Sequence, residues 1–87
     1  MNLITTCDTV TYVLKLEDNK WYIGKSMSLK KRLKQHWSGK GARWTAKHKP
    51  VELVQLYAGD VEKEKTQYAM AKYGKENVRG YGFTKSV

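Results

Sequence analysis

The sequence predicts an α/β fold, a small, mostly antiparallel three-stranded sheet flanked by helices, and three observations predict it. Residues 10 to 16 alternate, with Val10, Tyr12, Leu14 and Leu16 on one parity, and two further short runs of strand character follow at 21 to 24 and 51 to 57. Between and after those runs the apolar spacing changes to the helical period, first at Leu29, Leu33 and Trp37, then at Ala69, Met70 and Tyr73. At 87 residues the length suits one domain, residues 1–87, with an economical core, because chains this short bury only about 60 to 65% of their unfolded surface.

Residues 1 to 8 carry no clear periodicity. The first strand is expected from Thr9 to Leu16, and the polar stretch Glu17-Asp18-Asn19-Lys20 turns the chain into a second strand at Trp21 to Gly24, paired with the first as an antiparallel hairpin. Gly24 ends that strand, where a glycine often marks close approach of another group. Ser28 is a good N-cap candidate for a helix running to Trp37, with Leu29, Leu33 and Trp37 as its apolar stripe and Arg32 and His36, four apart, flanking it. The loop Ser38-Gly39-Lys40-Gly41 leads into a basic, aromatic segment from Ala42 to Lys49, closed by Pro50. Val51 to Tyr57 reads as the third strand. Asp60 is a plausible N-cap for a second helix ending near Tyr73 and Gly74. On that helix Glu62, Thr66, Ala69, Met70 and Tyr73 share the inward stripe, while Glu64, rotated by about 200° from Glu62, looks outward. The glycine-rich tail, 74 to 82, is expected to wrap back over the sheet without a long regular element.

Seventeen Lys and Arg against eight Asp and Glu give a net charge of +9, which attracts polyanions and makes nucleic acid the first partner to consider. The basic residues are spread along the chain instead of lying on one amphipathic helix, so a membrane is not the expected partner. Cys7 is the single cysteine, which excludes a disulfide framework and a Cys-rich zinc site, and no apolar run or leader points to a membrane or to secretion. An intracellular, soluble protein of the cytoplasm or nucleus is expected.

The residues left to carry chemistry are Tyr12, Tyr22, Arg32, His36 and the inward carboxylate Glu62. In a strongly basic domain that set suits phosphodiester chemistry, where a cation and a metal stabilise charge at phosphorus. Each has a plainer reading. The tyrosines suit packing with a hydrogen-bonded tip, Arg32 and His36 suit a solvated helix face, and Glu62 suits the positive end of a helix dipole. Trp44 suits either a core anchor or a contact to bases. Lys25, Lys40, Arg43, Lys47 and Lys49 are the expected nucleic-acid contacts, which set affinity rather than sequence choice.

The order of these residues resembles the GIY-YIG nuclease family over residues 9 to 83, as a stand-alone catalytic domain. Tyr22-Ile23-Gly24 matches the second half-motif. The first half-motif is degenerate, Val10-Thr11-Tyr12, but keeps its tyrosine. Arg32-Leu33, His36, the run Gly39-Lys40-Gly41-Ala42-Arg43-Trp44-Thr45, Pro50, Glu62, Tyr73-Gly74 and Asn77-Val78-Arg79-Gly80 follow in order. The resemblance implies a metal-dependent DNA endonuclease in which Tyr12 helps deprotonate the attacking water and Tyr22 orients it. Arg32 would bind the phosphate, His36 would assist proton transfer or bond the phosphate, and Asn77 would steady the site. Glu62 would be the sole protein ligand of one Mg²⁺ or Mn²⁺ ion. The alternatives are a non-cleaving nucleic-acid-binding module of the same fold, a nuclease acting on RNA, and, more weakly, a protein-interaction domain. DNA is the expected partner, for a monomer or transient dimer, with substrate choice left to a targeting protein or an appended domain absent from this chain.

Overall fold

Alternating strand residues and helical stripes assemble as an α/β domain in the computed structural model, which describes residues 9–81. The readings on residues 1 to 8, Cys7 and Gly82 lie outside the described residues. Strand β1 spans Val10–Leu16 and β2 spans Trp21–Ser26, joined through a short 3-10 turn at Glu17–Asn19. Helix α1 is Leu29–Trp37, α2 is Arg43–Lys47, β3 is Pro50–Ala58, α3 is Glu62–Tyr73 and β4 is Val78–Gly80.

The sheet order is β3-β1-β2-β4. Strand β1 is antiparallel to both its neighbours, and β4 runs parallel to β2, so the expected three-stranded antiparallel sheet has a fourth, short strand at its edge. That strand is three residues of the glycine-rich tail, too short to show a period and held by the open edge of β2.

Each face of the sheet has its own core. Tyr12, Leu14, Leu16 and Tyr22 share one face and pack with Leu29 and Leu33 of α1, Ala42, Trp44 and Leu53. Ile23 and Val78 share the other face with Ala69 of α3, supported by Val13, Trp21, Met70 and Tyr73. The parity of Trp21 and Ile23, opposite to Tyr22, thus serves α3, where the Trp21 and Tyr73 rings stack 4.2 Å apart. Leu14, Leu16, Ile23 and Val78 are almost wholly shielded from water, each contributing about 1.5–3 kcal/mol of burial.

Three expectations need correction. Trp37 is 47% exposed, while His36 is fully buried. At 100° per residue His36 lies only about 20° from the direction of Leu29 and Trp37 about 80° away, so the position seven residues on faces inward better than the one eight on. The segment after Gly41 contains a short helix, α2, not only a basic loop. Asp60 sits one residue before the N-cap Val61 of α3, yet its Oδ1 still accepts the Glu62 backbone N–H at 3.2 Å. The inward stripe of α3 is as expected, with Glu62, Thr66 and Ala69 buried and Glu64 exposed.

Candidate active site

Register places the two tyrosines. Tyr12 pairs with Gly24 and Leu14 with Tyr22 across β1 and β2, so both phenols project from the same face toward α1. A Cβ on Gly24 would lie 2.5 Å from the Tyr12 hydroxyl and 2.9 Å from Tyr22 Cε2, so only glycine lets the Tyr12 ring lie over this strand. Val10 pairs regularly with Ser26 and Ala58 and leaves β1 undistorted there.

Helix α1 delivers His36 onto that pair. Its ring centroid is 5.6 Å from Tyr12 and 5.0 Å from Tyr22, and the two tyrosine rings are 6.4 Å apart. The Tyr12 hydroxyl and His36 Nε2 are 2.7 Å apart, and His36 Nδ1 lies 2.9 Å from Thr45 Oγ1 on α2. Arg32, one turn before His36, is half-buried, and its guanidinium donates to Gln35 Oε1 at 2.8 Å. Its positive charge favours the ionised form of both phenols.

Loop 59–61 is stitched to β1 by Thr11, which is fully buried on the parity opposite to Tyr12. Its hydroxyl donates to the Gly59 carbonyl at 2.8 Å and accepts the Val61 N–H at 3.0 Å. This anchors the first turn of α3 at the end of the sheet that carries Tyr12. Glu62 is 9% exposed there, and its carboxylate accepts the backbone N–H of Tyr81 just beyond β4.

The electrostatics follow from enclosure. Burial, with help from Tyr22, pushes the Tyr12 phenol up to about 12 against the pull of Arg32. Burial also raises Tyr22, again opposed by Arg32, and the Glu62 charge raises both phenols. Burial first and the Arg32 charge second lower His36 to about 4, so the ring is neutral at neutral pH. Glu62 is raised, chiefly by burial, while the Tyr81 N–H and Lys25 favour its ionised form.

Tyr12, Tyr22, Arg32, His36 and Glu62 therefore converge. Asn77 does not join them, since its Oδ1 accepts Lys20 Nζ and its Nδ2 donates to the Tyr73 carbonyl, both at 2.8 Å, at the opposite end of β2. The Trp44 indole N–H donates to the Trp21 carbonyl at 3.0 Å, and the Arg79 guanidinium lies over its ring, 4.4 Å from the centroid. Lys25, Lys40, Arg43, Lys47 and Lys49 are exposed, and Lys25 is paired with Asp60 at 2.8 Å beside Glu62. Sequence reading missed three supporting residues: Thr11, Gln35 and Thr45. A buried polar residue between two apolar strand positions was the one local signal, and it pointed to Thr11 alone.

Among the described residues no group of three or more His, Cys, Asp or Glu could hold a metal. Two carboxylates lie here, Glu62 and Asp60, the latter already paired with Lys25, so Glu62 is the donor left for a hard, largely hydrated ion such as Mg²⁺, usually held through one or two carboxylates with water and phosphate oxygens filling the other positions.

Residues 9–79 match the GIY-YIG catalytic domain family. The chain is 43% identical over 56 residues to the UPF0213 protein YazA of Bacillus subtilis, covering 64% of this chain and 57% of that protein. It is 38% identical over 76 residues to the UPF0213 protein SpyM50708 of Streptococcus pyogenes, covering 87% of this chain and 82% of the relative. A UPF0213 protein of Halalkalibacterium halodurans is 40% identical over 47 residues, half of its length. No solved structure matches the chain.

Proposed function

The chain belongs to the GIY-YIG catalytic domain family, and from that premise we propose that it is a metal-dependent endonuclease that hydrolyses phosphodiester bonds of DNA in an intracellular setting. The observation that carries the reading is the convergence, at one end of the sheet, of two phenols, a neutral imidazole, a guanidinium and a carboxylate drawn from β1, β2, α1 and α3.

Arg32 binds a nonbridging phosphate oxygen and stabilises the charge that grows in the transition state, its planar fork suiting that geometry. Tyr12 and His36 are fully shielded and Tyr22 is 6% exposed, so water reaches Tyr12 only when side chains around it shift on substrate binding. Glu62 would hold the Mg²⁺ or Mn²⁺ ion, which would supply Lewis-acid stabilisation of the charge at phosphorus.

A free Tyr12 phenolate at pH 7 costs about 7 kcal/mol, at about 1.4 kcal/mol for each pH unit up to about 12, so Tyr12 does not act as a preformed base. The 2.7 Å contact of its hydroxyl with His36 Nε2 gives its proton a place to go as Tyr12 takes one from water. Tyr12 then acts as a proton carrier and His36 as the acceptor, with the incoming phosphate charge favouring the imidazolium and Tyr22 orienting the water. Exposed Lys40, Arg43, Lys47 and Lys49, joined by Lys25, supply phosphate contacts along the substrate.

The test is a panel of single-stranded, duplex, nicked and branched DNAs, with matched RNAs, incubated with Mg²⁺, Mn²⁺ or EDTA. Cleavage of DNA by the wild-type chain that EDTA abolishes is expected. Arg32→Ala and Glu62→Gln should each lower it by about a hundredfold or more while circular dichroism stays native. Near wild-type cleavage by either variant sinks the mechanism, and cleavage of RNA alone replaces the substrate.

A further inference from the structure

The buried ring cluster contains a chain of hydrogen bonds that ends on a group with only one role. Thr45 Oγ1 donates to the Ala42 carbonyl at 3.0 Å, an acceptor with no proton to give. Leading to it are the 2.7 Å contact of Tyr12 with His36 Nε2 and the 2.9 Å contact of His36 Nδ1 with Thr45. A hydroxyl has one proton. Thr45 spends its proton on Ala42, so its oxygen accepts from His36, which puts the imidazole proton on Nδ1 and leaves Nε2 bare to accept the Tyr12 O–H.

We propose that Thr45 is a positioning residue of the reaction, holding His36 in the Nδ1–H tautomer so that bare Nε2 can take the proton that Tyr12 gives up. The assignment rests on the nuclease reading for its catalytic consequence and on the hydrogen-bond chain alone for the tautomer. Both sides of the Nδ1 edge are built for it. Thr45 is fully buried, and a Cβ on Gly41 would collide with His36 Nδ1, so the segment from Gly41 to Thr45 closes on this nitrogen and on no other donor. The contact also explains why the five-residue helix α2 exists at that place, since it turns Thr45 inward while Arg43 and Lys47 stay exposed.

In the step itself, water gives one proton to the Tyr12 oxygen as the Tyr12 proton moves to His36 Nε2. The water oxygen's electron pair forms the new bond to phosphorus. The bond from phosphorus to the leaving sugar oxygen breaks with its electron pair, and that oxygen takes a proton from solvent water. His36 then returns its extra proton to solvent through Tyr12. No oxidant or reductant is involved.

The experiment compares the full chain with Thr45→Val, which keeps the shape and removes the hydroxyl, and with Thr45→Ser, which restores it. Nitrogen-15 NMR of the imidazole reports which ring nitrogen carries the proton. A proton on Nδ1 is expected in the wild type and in Thr45→Ser. Thr45→Val should move it to Nε2 and lower kcat by about a hundredfold, the typical lower bound for a lost proton-transfer partner, with KM little changed. A wild-type ring protonated on Nε2, or a Thr45→Val ring still protonated on Nδ1, overturns the assignment. So does a Thr45→Ser chain that behaves like Thr45→Val. Should Thr45→Val fail to fold, the wild-type and Thr45→Ser spectra still decide it. The expected tautomers in a chain that cleaves nothing would overturn the nuclease reading while supporting the role of Thr45 in setting the ring.

Discussion

Acid should unfold this domain through His36. The ring is fully buried and neutral in the native state, with its pKa lowered from 6.5 to about 4 by burial and by Arg32. In the unfolded chain it protonates near pH 6.5. Between those two values the unfolded state binds a proton that the native state refuses, so stability is fully present above about pH 6.5 and falls as pH drops toward about 4. At about 1.4 kcal/mol per pH unit the loss reaches about 3 kcal/mol, a large part of the roughly 5–15 kcal/mol typical of a domain. Glu62 works in the opposite direction, because its raised native pKa makes the fold favour its protonated form as pH falls. The clean quantity is therefore the difference between the wild type and His36→Gln, which cannot titrate. Urea unfolding followed by circular dichroism from about pH 7.5 to about 4.5 should show the wild-type midpoint falling by up to about 3 M more than that of the variant, for a slope near 1 kcal/mol/M. Parallel curves for the two chains would refute the burial of a neutral, hydrogen-bonded His36.

Three other outcomes follow from single contacts. Gly24→Ala should destabilise the fold by about 1–3 kcal/mol and displace Tyr12, since its Cβ would press on the Tyr12 hydroxyl and the Tyr22 ring; a thermal melt and the cleavage rate read both effects. Thr66 Oγ1 is buried without a hydrogen-bond partner among the described residues, so Thr66→Val should raise stability by about 1 kcal/mol in urea titrations, and a loss would reveal a partner for that hydroxyl. Asn77→Ala removes the ties to Lys20 and to the Tyr73 carbonyl and should cost about 1–2 kcal/mol. Cleavage that falls further than the folded fraction would place Asn77 in the chemistry.

Periodicity by itself determined much of this protein. Alternation put Tyr12 on one face of β1 with Leu14 and Leu16, and Tyr22 on the face of β2 opposite to Trp21 and Ile23, and the helical stripe pointed Glu62 inward and Glu64 outward. Those are statements about where a side chain points relative to its own element, and local geometry suffices for them. Docking decided the rest. That Thr45 meets His36, that Thr11 ties down the first turn of α3, and that three tail residues pair with β2 all depend on contacts between distant segments. The exchange of Trp37 for His36 as the buried residue shows the boundary. Two positions on one short helix were both near the inward side, and only the packing of α1 against the tyrosine face, with the close approach that Gly41 permits, selected the imidazole.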